Sequence, residues 1–310
     1  MGGQRACLIL NGKQASNEAV RAAVYRQRLL GRELAVRLTW EAADVPRLVD
    51  EALALGVTQL VAGGGDGTHG AVAGALCRAG GGASLALLPQ GTANDFAGAA
   101  GIPADPGAAL ALLDGPAVSV DLGQMNDQFF LNMATVGTGA RLTASTPEDL
   151  KRFLGGSAYL LAGLGRFADV QVGQGRFRGP DFFWEGDFLA FAAGNGRQAG
   201  GGQLLCPQAC IDDGLLDVCI IPAPAGAMGT LGTLLASGLG GLEAVSLMTR
   251  LPWLEVQLAE PLAINLDGEP VAGRKLLRFA SRPGQLALHL PAGSPLLQAN
   301  ARRADAREMP

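Results

Sequence analysis

The sequence predicts an N-terminal α/β domain with a parallel sheet and a C-terminal antiparallel β-sandwich. Apolar runs of strand length alternate with stretches of helical spacing over residues 1–122, the pattern of βαβ units. Beyond Asp121 the pattern changes to short strand-like runs separated by glycine and proline turns, as in a sandwich. Two of the early strands run straight into glycine-rich turns, and the carboxyl ends of parallel strands are where open sheets hold ligands.

Residues 5–10 read as the first strand, closed by the turn Asn11-Gly12-Lys13. Residues 17–30 have helical spacing, and Gly31 stops them. Residues 34–39 alternate apolar and polar, as a strand does. A helix over 44–55 follows, with Asp44 as the expected N-cap before Val45-Pro46 and Gly56 as the residue beyond its end. The strand 58–61 feeds Gly63-Gly64-Gly65-Asp66-Gly67-Thr68, ahead of a helical segment over 69–78. The strand 85–88 feeds Gly91-Thr92-Ala93-Asn94-Asp95, where Thr92 or Asn94 is expected to cap the next helix. Second-domain strands are expected at 129–136, 182–193, 216–221, 253–258, 262–266, 276–279 and 286–290, with a helical insertion at 150–167. The expected domains are therefore 1–122 and 123–294, with 295–310 packing back onto the first and 301–308 a charged, frayed tail.

The 310 residues carry a net charge of −4 with 17% charged residues, which gives no footprint for a nucleic-acid partner. Five scattered cysteines are an odd number, not a disulfide framework, and place the protein in a reducing cytosol. No charge falls between Asp217 and Glu243, but two prolines and six glycines interrupt that stretch, so it does not read as a continuous membrane helix. Residues 228–239 instead read as a buried or membrane-touching helix.

The turn at Gly63 to Thr68 has the physical character of a phosphate cradle. Glycines let the backbone approach a ligand, and a helix N-terminus presents free N–H groups and a positive dipole end. Asp66 within it would face a bare pyrophosphate with negative charge unless a metal intervenes, which argues against dinucleotide binding. The turn Asn265-Leu266-Asp267-Gly268-Glu269-Pro270 holds two carboxylates. Asp-Gly is explained by a hairpin alone, but Glu269 is not required by the turn and suits a proton acceptor in a cleft. Cys210-Ile211-Asp212-Asp213-Gly214-Leu215 is either a plain turn or a small site for a hard cation. The chain has no GxxxxGK[ST] and no GxSxG, and its two histidines, His69 and His289, are too few for a histidine-based zinc site.

Taken with Asn11-Gly12-Lys13, residues 36–41 and Gly194-Asn195-Gly196-Arg197-Gln198-Ala199-Gly200-Gly201-Gly202, these segments resemble, in order and over nearly the whole chain, the diacylglycerol-kinase catalytic-domain family and its YegS-like bacterial lipid kinases. The resemblance implies a Rossmann-like nucleotide-binding domain, with ATP held between the domains by Thr39, Gly64, Gly65, Asp66, Gly67, Thr68, His69, Gly70, Ala71 and Thr92. It implies Glu269 as the proton acceptor, and a Mg²⁺ site at Cys210, Asp213 and Leu215, the first and last through main-chain carbonyls. Mg²⁺ beside Asp66 or Asp95 would neutralise charge on the phosphates. The expected reaction moves the γ-phosphate of ATP to a lipid hydroxyl, of phosphatidylglycerol or diacylglycerol. It would take place in the cytoplasm, with residues 228–239 and Arg302-Arg303 as candidates for transient contact with the inner membrane face. The family's Asn-Glu pair after the glycine turn is replaced by Gly70 and Ala71. An NAD or other small-molecule kinase with the same turn, and a non-catalytic nucleotide- or lipid-binding protein, are the competing readings.

Overall fold

A computed structural model of the chain describes residues 5–137, 172–223 and 246–298. The helix expected at 150–167, the uncharged stretch 228–239 and the tail with Arg302 and Arg303 lie outside these residues.

The first half is built from parallel strands β1 (Arg5–Asn11), β2 (Glu33–Thr39), β3 (Gln59–Gly64) and β4 (Ser84–Pro89), in the order β4-β3-β1-β2. β3 is buried along its whole length, as a strand covered on both faces must be, and its apolar run shows no alternation. Helices α1 (Glu18–Leu29), α2 (Asp44–Ala54), α3 (Asp66–Arg78), α4 (Asp95–Ala99) and α5 (Pro106–Ala111) flank the sheet. Asn17 caps α1 by accepting the N–H groups of Ala19 and Val20, and Gly31 leaves it at φ +88°. Asp44 does not cap α2 as expected. It is the first helical residue, and its carboxylate reaches back to the N–H groups of Trp40 and Glu41 and forward to Arg47.

The second half contributes β5 (Ala117–Met125), β6 (Gln128–Phe130), β7 (Met133–Gly137), β8 (Gly173–Gly179), β9 (Phe182–Gly194), β10 (Gln198–Ala199), β11 (Gln203–Leu204), β12 (Leu216–Pro222), β13 (Leu247–Leu251), β14 (Trp253–Leu258), β15 (Ile264–Leu266), β16 (Glu269–Val271) and β17 (Leu276–His289). Apart from the β10-β11 pair, these are antiparallel to one another and continue the parallel strands in one 15-stranded sheet. The join is β17. Its first residues pair with β14, much of its length pairs with β5, and Leu288 lies parallel to Leu85 on β4. The sequence reads β17 as two strands because Pro283-Gly284 interrupts it. The structure keeps one strand and absorbs the interruption as a register shift between Arg282 and Leu286, with Gly284 at φ +64°. Conversely, the run read as one strand over 129–136 breaks between β6 and β7. β5, β8, β10, β11, β13 and β16 had no expected counterpart.

Two large apolar clusters result. One packs β1–β4 against the helices, and the other fills the antiparallel part. In the second, Phe177 meets Trp184, Phe188 and Phe191 edge-on at centroid distances of 5.2, 5.4 and 5.0 Å. Leu296, beyond the last strand, is fully buried in the first cluster, and Arg197 Nη2 donates to the neighbouring Pro295 carbonyl at 2.9 Å. Leu296→Ala is expected to destabilise the protein by about 2–5 kcal/mol, read as a lower urea midpoint with an unchanged slope.

Candidate active site

The carboxyl ends of β1, β2, β3 and β4 bring Asn11, Thr39, Gly64 and Pro89 to one edge of the sheet, where three glycine-bearing segments meet. Gly65 stands at the N-cap of α3 with no side-chain cap, so the first N–H groups of that helix have no intrahelical partner and form an anion-binding end. The turn after β4 packs directly on it. A Cβ at Gly91 would lie 2.5 Å from the Gly65 Cα, so only two glycines allow this approach. Gln90 N–H donates to the Gly64 carbonyl at 2.7 Å, and Asn17 Nδ2 donates to Gln90 Oε1 at 2.8 Å. Asn11 Nδ2 reaches Thr68 Oγ1 at 3.4 Å.

Asp66 does not stand free to meet a metal. Its carboxylate accepts the N–H groups of Asp95 at 3.0 Å and Phe96 at 3.1 Å, and so caps α4 from a distance. This replaces the expected capping by Thr92 or Asn94. Asn94 sits at φ 51° with its Oδ1 accepting Gly91 N–H, and Thr92 is exposed beside the turn. Asp95 is likewise engaged, accepting from Gly201 and Gly202 at 3.0 and 2.6 Å.

The second half enters through the β15-β16 hairpin. Glu269 lies against the first turn of α3, where a Cβ on Gly67 would collide with its Oε1. Asp267 lies one turn further along, where a Cβ on Gly70 would collide with its Oδ2. Asp267 is also the acceptor for Leu131, Asn132 and Met133, at 2.6, 2.8 and 3.0 Å, which is why the strand breaks between β6 and β7. Burial pushes the Asp267 carboxyl up to about 6, against the pull of those three N–H groups. Asn132 and Asn195 complete the junction, with Asn195 Nδ2 donating to the Asp121 and Leu131 carbonyls. The sequence reading missed Asp267 and Asn132, because a hairpin alone accounts for Asp-Gly.

Thr39, Gly64, Gly65, Asp66, Gly67, Thr68 and Glu269 are thus on adjoining elements, with Thr92 following Gly91. Ala71 is half-buried, and Gly70 is buried beneath Asp267. His69 points the other way. Its ring is fully buried with Nε2 at 3.4 Å from the Leu88 carbonyl, so it has no face toward a nucleotide. Cys210, Asp213 and Leu215 lie in a separate turn before β12 and do not fit a divalent ion. Asp213 Oδ1 accepts Leu215 N–H at 3.0 Å, and its Oδ2 is taken by the Arg250 guanidinium. No cluster of three metal-ligating side chains occurs among the described residues.

Residues 5–125 match the family described as the diacylglycerol kinase catalytic domain, and residues 133–290 match the YegS C-terminal NAD kinase beta sandwich-like domain. A Pseudomonas aeruginosa protein named "Probable lipid kinase YegS-like" is 64% identical over 291 residues, covering 94% of this chain and 96% of its own. A Pseudomonas fluorescens protein of the same name is 57% identical over 302 residues, covering 97% and 98%. A solved structure of a diacylglycerol kinase from Bacillus anthracis shares the fold at a TM-score of 0.71 and 18% identity, covering 95% of this chain and 99% of its own. The family models and these relatives define a kinase built on the diacylglycerol-kinase catalytic domain. Within that class, the chain belongs to the YegS-like lipid kinases.

Two outcomes follow from this geometry. Gly67→Ala is expected to drive the hairpin away from α3 and lower kinase activity at least about 100-fold while costing only about 1–3 kcal/mol in stability, checked by initial rates beside urea melts. Burial holds the His69 ring below its usual 6.5, so the folded state refuses a proton that the unfolded chain accepts. Its contribution to stability is therefore complete above about pH 6.5 and declines as the pH falls below it. The urea midpoint of the wild type is expected to fall more steeply than that of His69→Leu between pH 7 and pH 5.

Proposed function

We propose that the chain transfers the γ-phosphate of ATP to the hydroxyl of a membrane lipid, phosphatidylglycerol or diacylglycerol. The observation that carries this is Glu269 lying on the first turn of α3, which sets a proton acceptor beside an uncapped, anion-binding helix end. The N–H groups of that turn hold the phosphates, while Thr39, Thr68 and Thr92 offer flanking hydroxyls. Glu269 takes the proton as the lipid oxygen forms its bond to the γ-phosphorus. The bond from that phosphorus to the bridging oxygen breaks, and ADP leaves. Mg²⁺ bound with the nucleotide would supply the charge neutralisation that phosphoryl transfer needs. Asp66 and Asp95 are committed to backbone N–H groups, so they act by fixing the three loops to one another.

In this proposal residues 1–122, joined by 295–310, form the nucleotide-binding domain and residues 123–294 the lipid-facing one. The reaction takes place on the cytoplasmic membrane face as a step of phospholipid metabolism. Among the described residues no helix is long and apolar enough to cross a membrane, so the lipid would be met at the membrane surface.

Thin-layer analysis after incubation with labelled ATP and Mg²⁺ tests the reading, with phosphatidylglycerol, diacylglycerol and NAD compared as acceptors. Label is expected in one of the lipids. Glu269→Gln is expected to lower that transfer by about 10²–10⁴-fold with nucleotide binding retained. Transfer at the wild-type rate by Glu269→Gln would rule out its role, and label in NAD alone would replace the lipid reading.

A further inference from the structure

We propose that Arg250 is a built-in cation that holds the Asp213 turn in place of a divalent ion, so that this kinase folds and keeps its shape without a structural metal. The strand register delivers the guanidinium. β12 and β13 pair antiparallel with Asp217 directly opposite Arg250, and the side chain extends along β12 to the turn that precedes it. There it forms two ion pairs at once, Nη2 with Asp213 Oδ2 and Nε with Asp217 Oδ2, the latter at 3.2 Å.

Both carboxylates are otherwise shut away from water. The Asp213 side chain is 2% exposed and that of Asp217 8%, against 36% for Arg250. Burying two carboxylates side by side without a cation would cost far more than their hydrogen bonds return. A hard divalent ion is one solution, but it needs six or more oxygen ligands. The side-chain oxygens around the turn are already engaged. Asp213 spends one oxygen on Leu215 N–H and the other on Arg250, while the neighbouring Asp121 spends both on the N–H groups of Gly214 and Gly284. A divalent ion at Asp213 would also stand against a fixed positive charge. The guanidinium, by contrast, is planar, always charged and able to bridge two carboxylates through separate donors.

The turn matters beyond itself, because Gly214 is tied through Asp121 to Gly284 on β17, the strand that joins the two halves of the sheet. A cation at this point therefore steadies the frame of the active site from outside it.

Thermal melts without nucleotide test the proposal and leave the kinase reading aside. The wild type is expected to melt at the same temperature in excess EDTA as in millimolar MgCl₂. Arg250→Met is expected to melt about 5–10 °C lower in EDTA and to recover much of that loss in millimolar MgCl₂ or CaCl₂, because the freed carboxylates then accept an ion. Asp213→Asn added to Arg250→Met is expected to abolish the recovery. A wild-type melt that falls on chelation and returns with Mg²⁺ overturns the proposal. So does an Arg250→Met melt that is unchanged, or one that drops and is restored by neither ion. If Arg250→Met is insoluble without metal yet folds with it, the proposal stands. If it is insoluble in both, Arg250→Lys is judged by the same melts: a chelator-insensitive melt close to the wild type supports the proposal, and a chelator-sensitive one sinks it.

Discussion

The seating of the β15-β16 hairpin on the first turn of α3 is the constraint on which the rest of the site depends. It is a contact between halves of the chain separated by some two hundred residues, and it is possible only because Gly67 and Gly70 carry no side chain where Glu269 and Asp267 lie. Those positions are on one helix face, three residues apart, so a single strip of bare backbone receives both carboxylates of the hairpin. Without that approach the uncapped end of α3 and Glu269, the proposed proton acceptor, would stand on separate halves of the chain without this contact to fix their separation. Effective phosphoryl transfer is mostly positioning, and here the positioning is done by the absence of atoms.

The acids of this chain act largely as backbone anchors. Asp66 holds the start of α4, Asp95 holds Gly201 and Gly202, Asp121 holds Gly214 and Gly284, and Asp267 holds residues 131–133. Each spans segments far apart in sequence and satisfies N–H groups that irregular backbone, glycine-rich at Gly201-Gly202, Gly214 and Gly284, would otherwise leave unpaired. Hydrogen bonds to a charged acceptor are worth about 1.5–3 kcal/mol, roughly twice a neutral one. Loops rich in glycine lose the most entropy on ordering, so they are where such anchors are needed. The acids thus turn flexible glycine loops into a rigid cradle.

What could be read from the sequence follows from which of these interactions are local. The alternation of strands and helices up to Asp121, the stop at Gly31 and the glycine turn leading from β3 into a helix rest on neighbours in the chain, and all are present. Several of the misreadings involve distant partners. Asp44 is a local exception: its carboxylate turned back to accept the N–H groups of Trp40 and Glu41 instead of capping its helix. The expected strand over 129–136 broke because a carboxylate more than a hundred residues away collects three of its N–H groups. Pro283-Gly284 read as a strand end, yet pairing with β5 carried β17 through it. His69 looked like part of the cradle by its position in the motif, but the next helical turn of α3 faces the core. Spacing locates a turn in the chain without saying which side of a helix meets the ligand.

Gly70, which with Ala71 stands where the resemblance leads one to expect an Asn-Glu pair, has a physical role in the hairpin contact. Gly70 lies under the Asp267 carboxylate, so any larger side chain in this arrangement would have to displace the hairpin that carries Glu269. Gly70 leaves room for the Asp267 carboxylate to sit directly on the helix backbone, one turn from Glu269. In the proposed site, phosphate holding would rest on the N–H groups of the turn, which no substitution at these two positions removes. Charge balance at the Asp213 turn is met in the same internal way, by a guanidinium aligned through strand pairing. In both places a contact that side chains or ions could have supplied from outside is made by the chain's own backbone and register.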